Sequence, residues 1–231
     1  MGFFEDFRAR FILNFIAEGR WRFLANGLVV TLQVTFFAVI LGLIIGGIVA
    51  LIRSTHDKTG RLKPLNFLCN VYLTVIRGTP IVVQLLIIYF VIFTGPVNRV
   101  FIAVIAFGIN SGAYQAEIIR SGIMSIDKGQ FEAGRSLGFN YIQTMIHIIM
   151  PQAIKNILPA LANEFIVLIK ETSVASFIAL QDLTRGGDII RSRTFDAFMP
   201  LMAVALIYLT MVTIFTRLVK VLENRLRSSE R

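Results

Sequence analysis

The sequence predicts an all-α membrane protein, a single bundle of five spans. Three observations carry this: the 231 residues are 55% hydrophobic and only 16% charged, mean hydropathy is +0.72, and long apolar runs begin near Leu28, Leu65, Val100, Ile154 and Leu201. A soluble domain carries about a quarter charged residues, and a spanning helix needs about 20 mostly apolar ones. The spans are expected near residues 28–53, 64–94, 98–121, 152–176 and 199–222. Residues 28–226 then form one transmembrane domain, preceded by a segment 1–27 and followed by a tail 227–231.

Segment 1–27 sets Phe3, Phe4, Phe7, Phe11, Ile12, Phe15, Trp21 and Phe23 at roughly helical spacing among charges. That is the pattern of a helix lying in the membrane interface; an extension of the first span fits the same spacing. Trp21 marks the outer interface in either arrangement. No apolar stretch here ends in a small-residue cleavage site, so the first span is expected to stay in the mature protein. Asp6 stands where a myristoylation signal needs Ser or Thr.

In the first span, Gly42-Leu-Ile-Ile-Gly46 and, in the third, Gly108-Ile-Asn-Ser-Gly112 place glycines four apart, which lets helix backbones touch. Span two is interrupted by Arg77-Gly-Thr-Pro80. Proline removes a backbone donor and clashes with the preceding turn, so a break is expected there, and the freed carbonyls need partners. Irregular backbone at membrane depth is tolerated only where protein or a wet cavity surrounds it, and broken spans often border transport sites. The polar, glycine-containing stretch from Phe177 to Pro200 belongs outside the bilayer, with room for a short helix.

Net charge is +9, and its placement points to the membrane surface rather than to nucleic acid. If the spans alternate, the turn from Arg53 to Lys63, the segment after Ile119 and the tail from Arg217 share one side. By the positive-inside rule that side is cytoplasmic, which puts the N-terminus outside and the C-terminus in the cytoplasm. One cysteine, Cys69, excludes an internal disulfide and a thiolate cluster, and it reads as a small apolar filler. His56 and His147 are too far apart in sequence to suggest a metal site.

Charges within spans by default face the bundle interior or a wet cavity. Arg77 lies about 13 residues into span two, roughly 20 Å deep, and Glu164 is at similar depth beyond Pro151. Lys170 and Glu171 fall near the outer interface, and Glu117 and Arg120, three apart, can pair at the inner end of span three. Glu164, Leu168 and Glu171 share one helical stripe, and Asn163, Val167 and Lys170 the next. This broad polar sector suits a ligand with both ammonium and carboxylate groups: Glu164 for the first, Arg77, Asn110 and the hydroxyls of Thr79, Ser111 and Thr172 for the second. Pairing of these groups within the protein is the alternative.

Residues 128–150 form a polar, basic segment between spans three and four, expected as two short helices around Gly138 with Arg135, Phe139 and Tyr141 protruding near Glu132. Here the chain resembles the permease subunits of binding-protein-dependent, ATP-driven importers. Glu132-Ala133-Gly134, then Gly138, Ile148 and Pro151 match the signature Glu-Ala-Ala, three residues, Gly, nine residues, Ile, one residue, Leu-Pro, with Gly134 and Met150 departing from it. Arg77-Gly-Thr-Pro80, Ala113-Tyr-Gln-Ala-Glu-Ile-Ile-Arg-Ser-Gly122, Lys128 to Gly138 and Asn163-Glu-Phe-Ile-Val-Leu-Ile-Lys-Glu-Thr-Ser173 are similar to the polar amino-acid branch, which includes histidine, arginine and glutamine permeases.

The resemblance implies a five-span type I ABC importer fold with a cytoplasmic coupling helix, in a bacterial inner membrane. It implies a dimer of permease subunits, with two copies of this chain favoured, two ATPase subunits and an extracytoplasmic solute-binding protein. Glu132, Ala133, Gly134, Arg135, Gly138, Phe139 and Tyr141 would dock the ATPase; Arg77, Thr79, Asn110, Ser111, Gln115, Asn163, Glu164 and Thr172 are the candidate substrate contacts. The chain lacks Gly-x-x-x-x-Gly-Lys-Ser/Thr, so ATP and magnesium belong to the partner ATPase and no cofactor is expected here. One acidic group at depth favours basic amino acids; glutamine or another polar amino acid is the near alternative. An ion-coupled carrier or channel using Arg77 and Glu164 as a charge relay is the reading from another class. An intramembrane enzyme lacks a nucleophile with its base.

Overall fold

The computed structural model describes residues 2–228, and every regular element among them is helical. Helix α1, Phe3–Phe11, runs into a π turn, Ile12–Ile16, and a tight turn in which Glu18 and Gly19 take φ of 55° and 64°. These left-handed residues end the helix before α2, Trp21–Thr59, begins. The N-terminal segment is therefore a helix of its own and not a straight extension of the first span. Buried Asn14 fastens it, donating to Asp196 Oδ2 at 2.9 Å and accepting from Thr194 Oγ1 at 2.8 Å.

Helix α2 stops at Gly60, whose φ of 68° lets its N–H reach His56 O. Helices α3, Lys63–Gly78, and α4, Ile81–Ile87, follow, the latter continued by a π turn, Ile88–Ile92. The two arms are bent by 107° at the interruption expected from Gly78 and Pro80. Helix α5, Arg99–Met124, is capped by Asn98, whose side chain accepts from Val100 N at 2.8 Å. After α6, Lys128–Ser136, and α7, Tyr141–Thr144, a π turn, Met145–Ile149, leads into α8, Met150–Glu171. A tight helical turn, Thr172–Ile178, and a short helix α9, Leu183–Thr194, precede α10, Phe198–Ser228. The last three residues of the expected tail, 229–231, lie outside the described residues.

Four helical runs are long and apolar enough to cross a membrane, and the bent α3–α4 pair makes a fifth. The run that forms span four starts at Tyr141, ten residues ahead of Pro151. Pro151 does not begin this helix: the π turn, closed by Met150 N–H on Met145 O, stands where proline's missing donor would otherwise interrupt the ladder.

The bundle is organised on the packing of α2 along α5. A Cβ on Gly46 would lie 2.9 Å from both Ala116 N and Gly112 O, so the two backbones are in contact, as the glycine spacing predicts. Around this axis Val34, Ala38, Leu85, Ile102, Ala106, Phe107 and Leu168 form the main buried cluster. Cys69 sits in a smaller one with Val49, Leu73, Ala113 and Ala116, as an apolar filler.

The two ends of α2 mark the two ends of the molecule. At its first turn, Arg193 of α9 stacks over Phe23 at 4.8 Å, and Leu183 N–H donates to Thr31 Oγ1. Asp182, 1% exposed, caps α9 by accepting from Arg185 N at 2.9 Å. Burial pushes its carboxyl up to about 6. At the far end of α2, Lys58 Nζ lies 4.3 Å over the Phe131 ring of α6. Residues 128–144 thus stand at the end of the bundle formed by the α2–α3 turn, away from α9.

Candidate functional site

The break in span two leaves backbone carbonyls without helical donors, and one side chain meets them. Gln84, on the first turn of α4, donates through Nε2 to Ile76 O at 2.7 Å, Thr79 O at 3.0 Å and Thr79 Oγ1 at 2.8 Å. Its Oε1 accepts from Asn110 Nδ2 of α5 at 3.0 Å. Gln84 was not among the residues singled out by sequence; a lone amide in the apolar run Ile81–Ile92, just after a break with orphan carbonyls, was the available signal.

Beside Asn110, buried Ser111 donates to Glu164 Oε1 of α8 at 3.0 Å. Gln115 Nε2 donates to Ser111 Oγ at 2.9 Å, and its Oε1 is buried without a partner. Glu164 itself is half-buried. Arg77 is exposed on the break, its guanidinium 5.6 Å from the Tyr114 ring. Arg77 and Glu164 form no ion pair with each other, so mutual neutralisation is not what keeps these charges in the span.

The other candidates divide. Asn163 is exposed on α8. Thr79 is exposed, but its hydroxyl donates to Val75 O. Thr172 is 1% exposed and donates to Ile169 O, so its hydroxyl is spent on its own helix and is not open to a ligand. Asn110 lies behind Gln84, and Gln115 behind Ser111, as supports of the polar face.

Toward the end of the bundle that carries the α2–α3 turn, Glu117 pairs with Arg120, Nη2 to Oε2 at 3.2 Å, as its i,i+3 spacing predicts. Arg53 of α2 joins the same carboxylate, and Arg120 reaches Asp57 at 3.5 Å. The pair is therefore part of a bridge between α2 and α5.

Beyond it stands the helix–turn–helix. Helix α6 starts under Asp127, whose carboxylate accepts from Gly129 N at 2.6 Å. It ends in a Schellman turn: Phe139 N–H on Gly134 O, Gly138 N–H on Arg135 O, and Gly138 at φ 80°. Asn140 and Gln143 then cap α7 reciprocally, at 3.0 and 2.9 Å. Glu132, Ala133, Arg135 and Gly138 are exposed, and Phe139 and Tyr141 are half-buried. Gly134 is buried against Thr144 and offers no docking surface. Leu137 and Ile142, about two-thirds exposed on either side of the turn, present apolar surface that the sequence reading passed over. Leu137 just before the glycine and Ile142 four residues after it, aliphatic positions at the turn of a segment read as polar and basic, were the signal. Lys58, Lys128, Phe131, Glu132, Arg135, Tyr141 and Thr144 line a cavity of about 350 Å³ between this knob and the end of α2.

A five-span bundle with polar side chains buried at a broken span, and a capped helical knob at one end, defines a multi-pass membrane subunit. The family model described as "Binding-protein-dependent transport system inner membrane component" matches residues 38–228, and the chain belongs to that family. Its members are inner-membrane permease components and not enzymes. A Rickettsia typhi protein named as a glutamine transport system permease, GlnP, is 40% identical over 207 residues, 88% of this chain and 93% of that protein. The arginine transport system permease protein ArtQ of Bacillus subtilis is 38% identical over 211 residues, 90% and 94% of the two chains. The L-cystine transport system permease protein TcyB of Bacillus subtilis is 37% identical over 216 residues, 92% and 90%.

The solved structure of an amino acid ABC transporter with histidines superposes with a TM-score of 0.83 at 43% identity, covering 91% of this chain and 98% of that one. The inward-facing MetNI methionine ABC transporter superposes at 0.77 and 18% identity, over 89% and 97%, a likeness of fold alone. The architecture is the type I importer fold expected from the sequence.

Proposed function

We propose that this chain is the membrane subunit of an ATP-driven amino-acid importer, and that it carries polar, chiefly basic, amino acids by alternating access. The observation that carries the reading is Glu164: a half-buried carboxylate held by Ser111 at 3.0 Å, with no cation paired to it among the described residues. A substrate ammonium is the complement such a group lacks. Arg77, exposed above Tyr114, is free to take the α-carboxylate, and exposed Asn163 flanks the same sector. Relatives named for glutamine, arginine and cystine support the amino-acid class, and leave the side chain to be decided by this acidic group.

In this reading the N-terminus lies outside, and the α2–α3 turn and residues 128–150 lie in the cytoplasm. Two copies of the chain pair, two ATPase subunits hold ATP and magnesium, and an external solute-binding protein delivers substrate. Closure of the ATPase pair drives the knob bearing Glu132, Ala133, Arg135, Gly138, Phe139 and Tyr141, with Leu137 and Ile142 giving it an apolar grip. The spans then rock about the polar sector, as a two-state element must. Family membership speaks against the ion-coupled carrier.

Equilibrium binding of the common amino acids to the purified permease–ATPase complex tests the substrate site. Arginine, lysine and histidine are expected to bind, with Glu164→Gln and Arg77→Ala each weakening binding at least about ten-fold, the worth of one charge-assisted contact. Unchanged affinity in both variants removes the site assignment.

A further inference from the structure

We infer that Gln84 is the positioning residue that fixes the break in the second span and ties it to the polar face of α5. Gly78 and Pro80 free the carbonyls of Ile76 and Thr79, and backbone acceptors within hydrocarbon must be met by protein. Gln84 Nε2 meets both, and Thr79 Oγ1 besides, all within 3.0 Å. Its Oε1 takes Asn110 Nδ2 from α5, next to the Ser111 that reaches Glu164. One 8%-exposed amide therefore joins α3, the start of α4 and α5, and a movement of either arm of the bent span is handed to the helix that holds the polar sector.

The chemistry specifies the residue type. Only a carboxamide donates two protons and accepts at the same time. Leucine would fill the space and leave both carbonyls bare. An ionised glutamate could accept from Asn110 but could donate to neither carbonyl; protonated, it regains one donor. The partners of Gln84 are all uncharged. The ionisable groups on the elements around it are Lys63, Cys69, Tyr72 and Arg77 on α3, Tyr89 beyond α4, Arg99, Tyr114, Glu117 and Arg120 on α5, and Lys155, Glu164, Lys170 and Glu171 on α8. The transport consequence rests on the permease reading above, whereas the geometry of the break does not.

The test uses the full chain with its ATPase subunits in lipid nanodiscs, with Cys69→Ala and spin labels at exposed positions Val75 and Val83, one on each arm. With labelled chain diluted in unlabelled chain so that only the distance within one copy is read, wild type should give a single narrow distribution and Gln84→Leu a broad one. Gln84→Glu should be broad near about pH 8 and narrow toward wild type as pH falls to about 5.5, because burial at this position raises a carboxyl from its ordinary value of about 4.3 into that interval, so that it takes up its proton there. In liposomes, uptake by Gln84→Glu relative to wild type at the same pH should rise at least about five-fold over that interval. A Gln84→Leu distribution as narrow as wild type, or a Gln84→Glu distribution insensitive to pH, overturns the proposal. If the Leu variant does not assemble, the Glu variant carries the test alone, since one protein is compared with itself. Absence of amino-acid uptake by the wild-type complex would instead strike the functional reading and leave the distance result standing.

Discussion

Gly134 and Thr144 lie so close that a methyl group on the glycine would come 2.5 Å from Thr144 Cγ2 and 2.7 Å from Oγ1. Gly134, one of the two positions that depart from the family signature, glycine where the signature has alanine, is thus matched by a β-branched neighbour on α7. Restoring the alanine should therefore harm this protein. Gly134→Ala is expected to cost about 1–3 kcal/mol through overpacking, read as a lower melting temperature of the detergent-solubilised complex. Gly134→Ala with Thr144→Ala should recover most of the loss. A single variant as stable as wild type would show that the two helices have slack.

Asp182 makes the α9 end of the bundle sensitive to pH. Its folded-state value, raised from 3.8 to about 6 by burial, means the native state holds the proton more tightly than the unfolded chain. The stabilisation is fully present below about pH 4 and is lost as pH rises through about 6. Asp182→Asn keeps an N-cap oxygen for Arg185 N and removes the titration. Its melting temperature should be flat across that window where wild type declines, and parallel slopes would contradict the assignment.

Glu117 holds two arginines from different helices, Arg53 and Arg120, toward the end of the bundle that carries the α2–α3 turn. All three side chains are 18–27% exposed, so they are partly desolvated. Glu117→Gln leaves two cations facing each other and should destabilise by about 1–3 kcal/mol, less than the roughly 3–5 kcal/mol of a fully buried pair. Adding Arg53→Met should restore part of it. Thermal melts of the single and double variants measure this coupling.

Close packing of α2 on α5 was legible because two glycines four apart leave an unmistakable spacing, and the break at Arg77–Pro80 because proline acts locally. The helix–turn–helix around Gly138 followed from the same local chemistry. What escaped was set by tertiary geometry. Nothing in Thr172 itself says that its hydroxyl bonds Ile169 O, and nothing in Gln84 says that its amide reaches back across a bend to Ile76. The burial of Gly134 depends on a partner ten residues away. Leu137 and Ile142 looked like ordinary apolar residues until the turn placed them on the outside.

Gly46 tests how much the fold depends on backbone contact. With Gly112 O and Ala116 N both 2.9 Å from where its Cβ would be, Gly46→Leu must push α2 off α5. Expression of folded protein should fall at least about ten-fold, as expected for steric overload at a small-residue crossing. Gly47, with open space around it, should accept alanine without loss.

The most direct test of the whole account is the number of amino acids imported per ATP hydrolysed, measured in vesicles containing this chain, its ATPase and its binding protein. Wild type should import only when ATP is supplied, and Arg135→Glu on the exposed face of α6 should go on hydrolysing ATP while importing at least about ten-fold less per turnover. Import driven by an ion gradient without ATP, or an unchanged ratio in Arg135→Glu, would contradict it.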